Sequence, residues 1–136
     1  MCGIAGKLHW QPILDNNPIY KMSERMTHRG PDDIGSISLE NITLGFRRLS
    51  ILDLSKKANQ PMSTDDDRYH IVFNGEIYNF KELRKELEKL NYKFQSTSDT
   101  EVVLYSYAEW GPECLKYFNG MFAFAIWDAK CKKLFL

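Results

Sequence analysis

The sequence predicts a mixed α and β fold in which strands cluster rather than alternate strictly with helices. Two observations predict it. Apolar, β-branched or aromatic runs stand at 34–39, 42–50, 69–73 and 121–127, each bounded by turn-forming or polar residues. Segments 79–90 and 100–110 instead carry helix starts and stops with apolar residues at helical spacing.

Taken in order, residues 2–9 read as a short first strand containing small residues. Asn17 followed by Pro18 reads as an N-cap and first helical position. Ile19, Met22 and Met26 then share one helical face, and Gly30-Pro31 stops the element. Runs 34–39 and 42–50 form two strands with Glu40-Asn41 as the turn between them. Residues 53–68 are polar and read as a surface loop, long enough to suggest a function. The strand at 69–73 meets Asn74-Gly75-Glu76, after which Asn79 and Glu82 form a capping-box pattern. Phe80, Leu83, Leu87 and Leu90 share the inner face of the following helix. A short strand is expected over 92–96. Ser98 or Asp99 caps a helix over 100–110 that ends at Gly111-Pro112, and a brief helix follows near 113–118. The strand at 121–127 carries core aromatics, a turn spans 128–132, and 133–136 begins another strand. Ending within an apolar run suggests a fragment of a longer polypeptide.

Composition narrows the function. The chain has 136 residues, enough for one domain and a core without disulfides. Lys plus Arg and Asp plus Glu each number 18, and this balance argues against a nucleic-acid binder or a protein drawn to anionic membranes. No apolar run is long enough to span a bilayer, and the N-terminus lacks a secretory pattern. Cys2, Cys114 and Cys131 are scattered and show no metal-ligand spacing, so reduced thiols in a cytoplasmic protein are expected, with no metal.

Four places could carry chemistry. Cys2 becomes N-terminal if Met1 is removed, and one residue then holds a thiol nucleophile and an α-amine base. Gly3 and Gly6 would leave room for a substrate beside it. Asn74-Gly75 reads either as a tight turn or as an oxyanion hole made of an amide and a backbone N–H. Arg47-Arg48 reads as solvated charge or as a guanidinium fork for a carboxylate. Asp99 reads as a helix cap or as a counter-ion for an ammonium. His28-Arg29-Gly30-Pro31-Asp32 reads as a helix end and turn, and Asp65-Asp66-Asp67 as a hydrated loop.

The blocks Met1-Cys2-Gly3-Ile4-Ala5-Gly6, His28-Arg29-Gly30-Pro31-Asp32-Asp33, Arg48-Leu49-Ser50-Ile51-Leu52-Asp53, Gln60-Pro61, Asn74-Gly75-Glu76-Ile77-Tyr78-Asn79, Ser98-Asp99-Thr100-Glu101 and Gly120-Met121-Phe122-Ala123-Phe124-Ala125 stand in one order. In that order the chain resembles the N-terminal glutaminase domain of glutamine-hydrolysing asparagine synthetases, a class II glutamine amidotransferase. The resemblance covers 2–136.

It implies an N-terminal-nucleophile hydrolase fold, an αββα sandwich with two antiparallel sheets, truncated at its C-terminal end. It implies that Cys2 attacks the glutamine side-chain amide and that Asn74 and the Gly75 N–H form the oxyanion hole. Arg48, helped by the backbone of Leu49, Ser50, Ile51 and Leu52, would hold the α-carboxylate; Asp99 and Glu76 would receive the α-ammonium. Glutamine is the implied substrate, and no cofactor is implied for its hydrolysis. ATP and Mg belong to a C-terminal synthetase domain in cis that this chain lacks, where ammonia would amidate aspartate. A homodimer is among the assemblies the resemblance allows. The alternatives are the glutaminase domain of another class II amidotransferase and a non-catalytic truncated module.

Overall fold

A computed structural model describes residues 2–10 and 17–136. Its strands are β1 (Gly3–Leu8), β2 (Asp33–Leu39), β3 (Ile42–Arg48), β4 (Met62–Ser63), β5 (Tyr69–Ile77), β6 (Gly120–Asp128) and β7 (Lys133–Phe135). Its α-helices are α1 (Asn17–Arg25), α2 (Phe80–Lys89) and α3 (Asp99–Trp110).

The strands form two antiparallel sheets, one in the order β1-β3-β2 and the other β4-β5-β6-β7. Strand side chains alternate between faces, and here both sheets use both faces. Ile42, Leu44 and Phe46 of β3 meet Val72, Ala125 and Trp127 of β5 and β6, forming the core between the sheets. Ile71, Phe73, Phe124 and Ile126 point the other way and pack beneath α2 and α3. α1 lies against β1 and β3 on the far side of the first sheet. The layers are therefore helix, sheet, sheet, helix, as expected from the resemblance.

Several local expectations need correction. On α1, Ile19 is buried but Met22 is 50% exposed, and Ser23 occupies the inner face in its place. The reason is close approach. A Cβ on Gly45 of β3 would collide with Ser23 and come within 2.6 Å of an Ile19 methyl, so a small side chain is needed where the helix crosses. The glycines of β1 face packing neighbours: Gly3 is buried against the end of α1, and Gly6, which is exposed, lies over β3. The Cβ position of Gly3 lies 3.0 Å from Met26, and that of Gly6 lies 3.3 Å from Leu44.

Asn74-Gly75 is not a turn. β5 runs straight through it, pairing Asn74 with Ala123 and Gly75 with Phe122. The expected strand at 92–96 does not form. The Gln95 and Ser96 N–H groups each donate at 2.8 Å to the buried Glu101 carboxylate, which replaces a strand partner. Asn79 precedes α2 without capping it through its side chain. Its carboxamide instead donates to the Tyr117 carbonyl and accepts from the Asn119 N–H, tying α2 to the start of β6. Leu90 is also exposed, at the C-cap of α2. The brief helix expected near 113–118 forms, as a 3-10 helix over Gly111–Tyr117.

Other expectations match. Ser98 caps α3, accepting from the Thr100 N–H at 3.1 Å. Gly111 ends α3 with φ of 56°, a left-handed angle that a Cβ would strain.

Leu87 is fully buried where α2 meets α3 and the second sheet. Leu87→Ala should cost about 2–5 kcal/mol of stability. Urea unfolding followed by tryptophan fluorescence measures it, and a loss below about 1 kcal/mol would contradict this packing.

Candidate active site

Cys2, immediately before β1, lies beside the segment that follows β3, because Gly3 pairs with Arg47. Its Sγ accepts from the Leu49 N–H at 3.4 Å and lies 3.7 Å from the Leu49 carbonyl oxygen. The Cys2 carbonyl accepts from Arg29 Nε at 3.1 Å, so the block at 28–33 braces the candidate nucleophile rather than merely ending a helix. The fate of Met1 lies outside the described residues.

A cavity of about 510 Å³ opens in front of this thiol. That size suits a small ligand. The first sheet contributes Phe46 and Arg48, β5 contributes Phe73 to Glu76, β6 begins at its rim with Met121 to Ala123, and α3 contributes its first turn. Cys2, Arg48, Asn74, Gly75, Glu76 and Asp99 all line it. Leu49, Ile51 and Leu52 line it as well. Ser50 is not among the lining residues, and its N–H donates to Asp32 at 2.7 Å. Arg47 is also turned elsewhere, donating from Nε to the Gly30 carbonyl at 2.9 Å.

The strand geometry explains the donors. Phe73, Gly75 and Ile77 alternate with Asn74 and Glu76, so their N–H groups face one side of β5. The Phe73 N–H goes to Gln60 at 2.6 Å, and the Ile77 N–H goes to Asp99 at 3.0 Å. Gly75 lies between them, with its N–H on the same side and the cavity in front of it. It must be glycine, since a Cβ would stand 2.5 Å from Phe122 Cα. The Oδ1 of Asn74 is buried without a hydrogen-bond partner among the described residues.

The charged groups divide their work. Arg48 is buried, and its Nη1 donates to the Ser55 carbonyl at 3.0 Å and to Asn59 Oδ1. Its Nη2 donates to the Asp53 carbonyl. One Nη2 hydrogen and Nε–H are not used by these bonds. Arg48 thus shapes the loop over 49–59 as well as lining the cavity. Asp53 fastens that loop to the segment before α3, accepting from the Thr97 N–H at 2.8 Å and its hydroxyl at 3.0 Å. Hydrogen bonding to Ser55 and then Thr97 holds its carboxyl far below the usual range. Ser98 takes the cap position, so Asp99 is free for another use. Burial pushes the Asp99 carboxyl up, the N–H of Ile77 opposes that, and the negative charge of Glu76 adds to it. Among the described residues no group of acidic, His or Cys side chains could hold a metal ion.

Sequence reasoning named no role for Gln60, Asp53 or the acids at 32–33. Their only signal was membership of the quoted blocks. Asp33 accepts from Asn59, which accepts from Arg48. Such relays join residues far apart in the chain, and no spacing rule reports them.

The chain matches a family model described as a glutamine amidotransferase domain over residues 1–136. It is 40% identical to asparagine synthetase [glutamine-hydrolyzing] 3 of Bacillus subtilis over 99% of this chain and 22% of that protein. It is 45% identical to asparagine synthetase [glutamine-hydrolyzing] 1 of the same organism over 94% of this chain and 21% of the relative. With a putative asparagine synthetase [glutamine-hydrolyzing] 2 of Methanocaldococcus jannaschii it shares 43% identity over 96% of this chain and 28% of the relative. The chain thus spans about a fifth to a quarter of the length of these relatives. Among solved structures, the glutamine phosphoribosylpyrophosphate amidotransferase of B. subtilis, complexed with ADP and GMP, superposes with a TM-score of 0.72. That match covers 94% of this chain and 35% of the other at 16% identity, and it shows the N-terminal-nucleophile sandwich fold. Its sequence matches over the whole length and its layers agree with that fold: the chain belongs to the glutamine amidotransferase domain family.

Proposed function

We propose that this chain hydrolyses L-glutamine to glutamate and ammonia, with Cys2 as the nucleophile. The observation that carries the reading is one cavity holding a thiol, an exposed strand N–H beside a carboxamide, an arginine and a buried carboxylate. Glutamine has an α-carboxylate, an α-ammonium and a neutral amide. A site that orients it needs both charge signs at one end and an uncharged pair of donors at the other.

In this reading Arg48 and the backbone of Leu49 to Leu52 take the α-carboxylate, while Asp99 and Glu76 take the α-ammonium. The Cys2 thiol passes its proton to its own α-amine as the sulfur attacks the side-chain carbonyl carbon, forming a C–S bond while the C=O π bond opens. The oxygen gains negative charge, which the Asn74 amide and Gly75 N–H stabilise. The C–N bond then breaks, and the nitrogen leaves as ammonia after receiving a proton from the α-amine of Cys2. Water attacks the resulting thioester, releases glutamate and restores the thiol. No cofactor enters these steps. The relatives' names join glutamine hydrolysis to asparagine synthesis, and in this reading the ammonia passes to a synthetase domain in cis, where the family resemblance implies that ATP and Mg serve the amidation of aspartate.

Cys2→Ala should reduce glutamate release by about a thousandfold or more without lowering the melting temperature appreciably. A form with Met1 retained should lose the same activity, because its Cys2 nitrogen is an amide. Coupled assay of glutamate, with intact mass reporting the N-terminus, measures both. Equal rates for wild type and Cys2→Ala would sink the mechanism.

The Asp99 carboxylate must be charged to hold the ammonium, which stays protonated throughout the acid range. Burial raises its pKa, so charge is lost at a higher pH than for an ordinary aspartate. KM for glutamine should therefore climb as pH falls towards and through that raised value. Asp99→Asn should raise KM by roughly 30-fold or more and flatten this limb of the profile. A variant that keeps the wild-type slope would remove Asp99 from ammonium recognition.

A further inference from the structure

Gln60 is buried in the cavity wall, and its carboxamide makes three hydrogen bonds. Its Oε1 accepts from the Phe73 N–H at 2.6 Å. Its Nε2 donates to the Phe73 carbonyl at 3.2 Å and to the Thr100 hydroxyl at 3.1 Å. The register explains why. β4 pairs Met62 with Ile71, so continuing the ladder would bring Gln60 opposite Phe73. Pro61 intervenes and has no N–H, and β4 stops at Met62. The Gln60 side chain then supplies the donor and acceptor that a strand peptide would have supplied.

The first sheet closes on the same residue. Gly35 of β2 faces the Gln60 carbonyl so closely that a Cβ would collide with it. Gln60 is thus met at its backbone by β2 and held through its side chain by β5 and α3. Phe73 is next to Asn74, and Thr100 is next to Asp99. Gln60 and Asp99 also occupy the Phe73 and Ile77 N–H groups on either side of Gly75, which keeps the edge of β5 open only there.

We propose that Gln60 is a positioning residue that fixes the separation between the oxyanion donors at Asn74-Gly75 and the carboxylate of Asp99. It thereby sets the substrate chain length the cavity accepts. The proposal rests on the glutaminase reading above. In that reading the amide and the ammonium of the substrate must reach their partners at once. A tie between those partners selects against an amide one methylene shorter. Such a difference is worth roughly tenfold or more when the two ends are held rigidly.

The test uses the full chain and two activated amides, the γ-hydroxamate of L-glutamate and the β-hydroxamate of L-aspartate, with hydroxylamine release as readout. Gln60→Leu should lower the γ over β preference in kcat/KM by roughly tenfold, with measurable gain on the shorter substrate. Thr100→Val keeps side-chain shape and removes only the link to α3. It should shift the same ratio in the same direction, through KM more than kcat. Leu87→Ala, remote from the cavity, should depress both substrates alike and leave the ratio unchanged. The ratio does not depend on the fraction of folded protein. If Gln60→Leu fails to fold, Thr100→Val decides alone. An unchanged ratio, or no turnover of the shorter substrate by either variant, overturns the role of Gln60 while leaving the glutaminase intact. A wild-type chain that turns over neither substrate overturns both readings.

Discussion

The contact between the inner faces of the two sheets governs this structure. Ile42, Leu44 and Phe46 meet Val72, Ala125 and Trp127, and this core fixes how far β3 stands from β5. Cys2 extends the first sheet and Asn74-Gly75 belongs to the second. Their approach is therefore set by hydrophobic packing and not by any bond between them. The cavity lies at the edge of that core, lined by Phe46 from the first sheet and by Phe73 to Glu76 from the second. Close-packed interiors resist small displacements, so a site built across such a contact inherits its rigidity.

Around this core the polar groups mostly hold one another. Arg48 gathers the carbonyls of Ser55 and Asp53, Asp53 reaches Thr97, Asp32 holds Ser50, and Asp33 holds Asn59. Each bond satisfies a loop group that would otherwise need water. Together they give a connection without regular strands a defined path over the cavity. The same economy appears at Glu101, whose buried carboxylate takes the N–H groups of a segment that has no strand partner.

The two readings of Asn74-Gly75 show how register changes the meaning of a dipeptide. Asn-Gly between apolar runs is a common hairpin signal. Here β6 pairs along its whole length, and the glycine is needed because Phe122 lies against it, not for a turn. Met22 and Ser23 teach a related lesson. Apolar spacing put Met22 inside, yet Gly45 leaves room only for Ser23. Helix positions, the Gly111 stop of α3 and the long strands were legible because they depend on near neighbours. Met22, the strand at 92–96 and the cap at Asn79 depended on distant partners and were misread.

The sequence by itself determined the places of the α-helices and the long strands, a cap at Ser98 or Asp99 and the Gly111 stop of α3, and the ordered blocks that mark the family. Those are properties of residue type and local spacing, written directly in the chain. Only the tertiary structure decided that Arg48 and not Arg47 lines the cavity, that Asp99 is released from capping, and that Gln60 joins β5 to α3. These outcomes turn on which face of a strand meets another layer. That choice is made by packing between segments dozens of residues apart, where sequence periodicity carries no information about the partner.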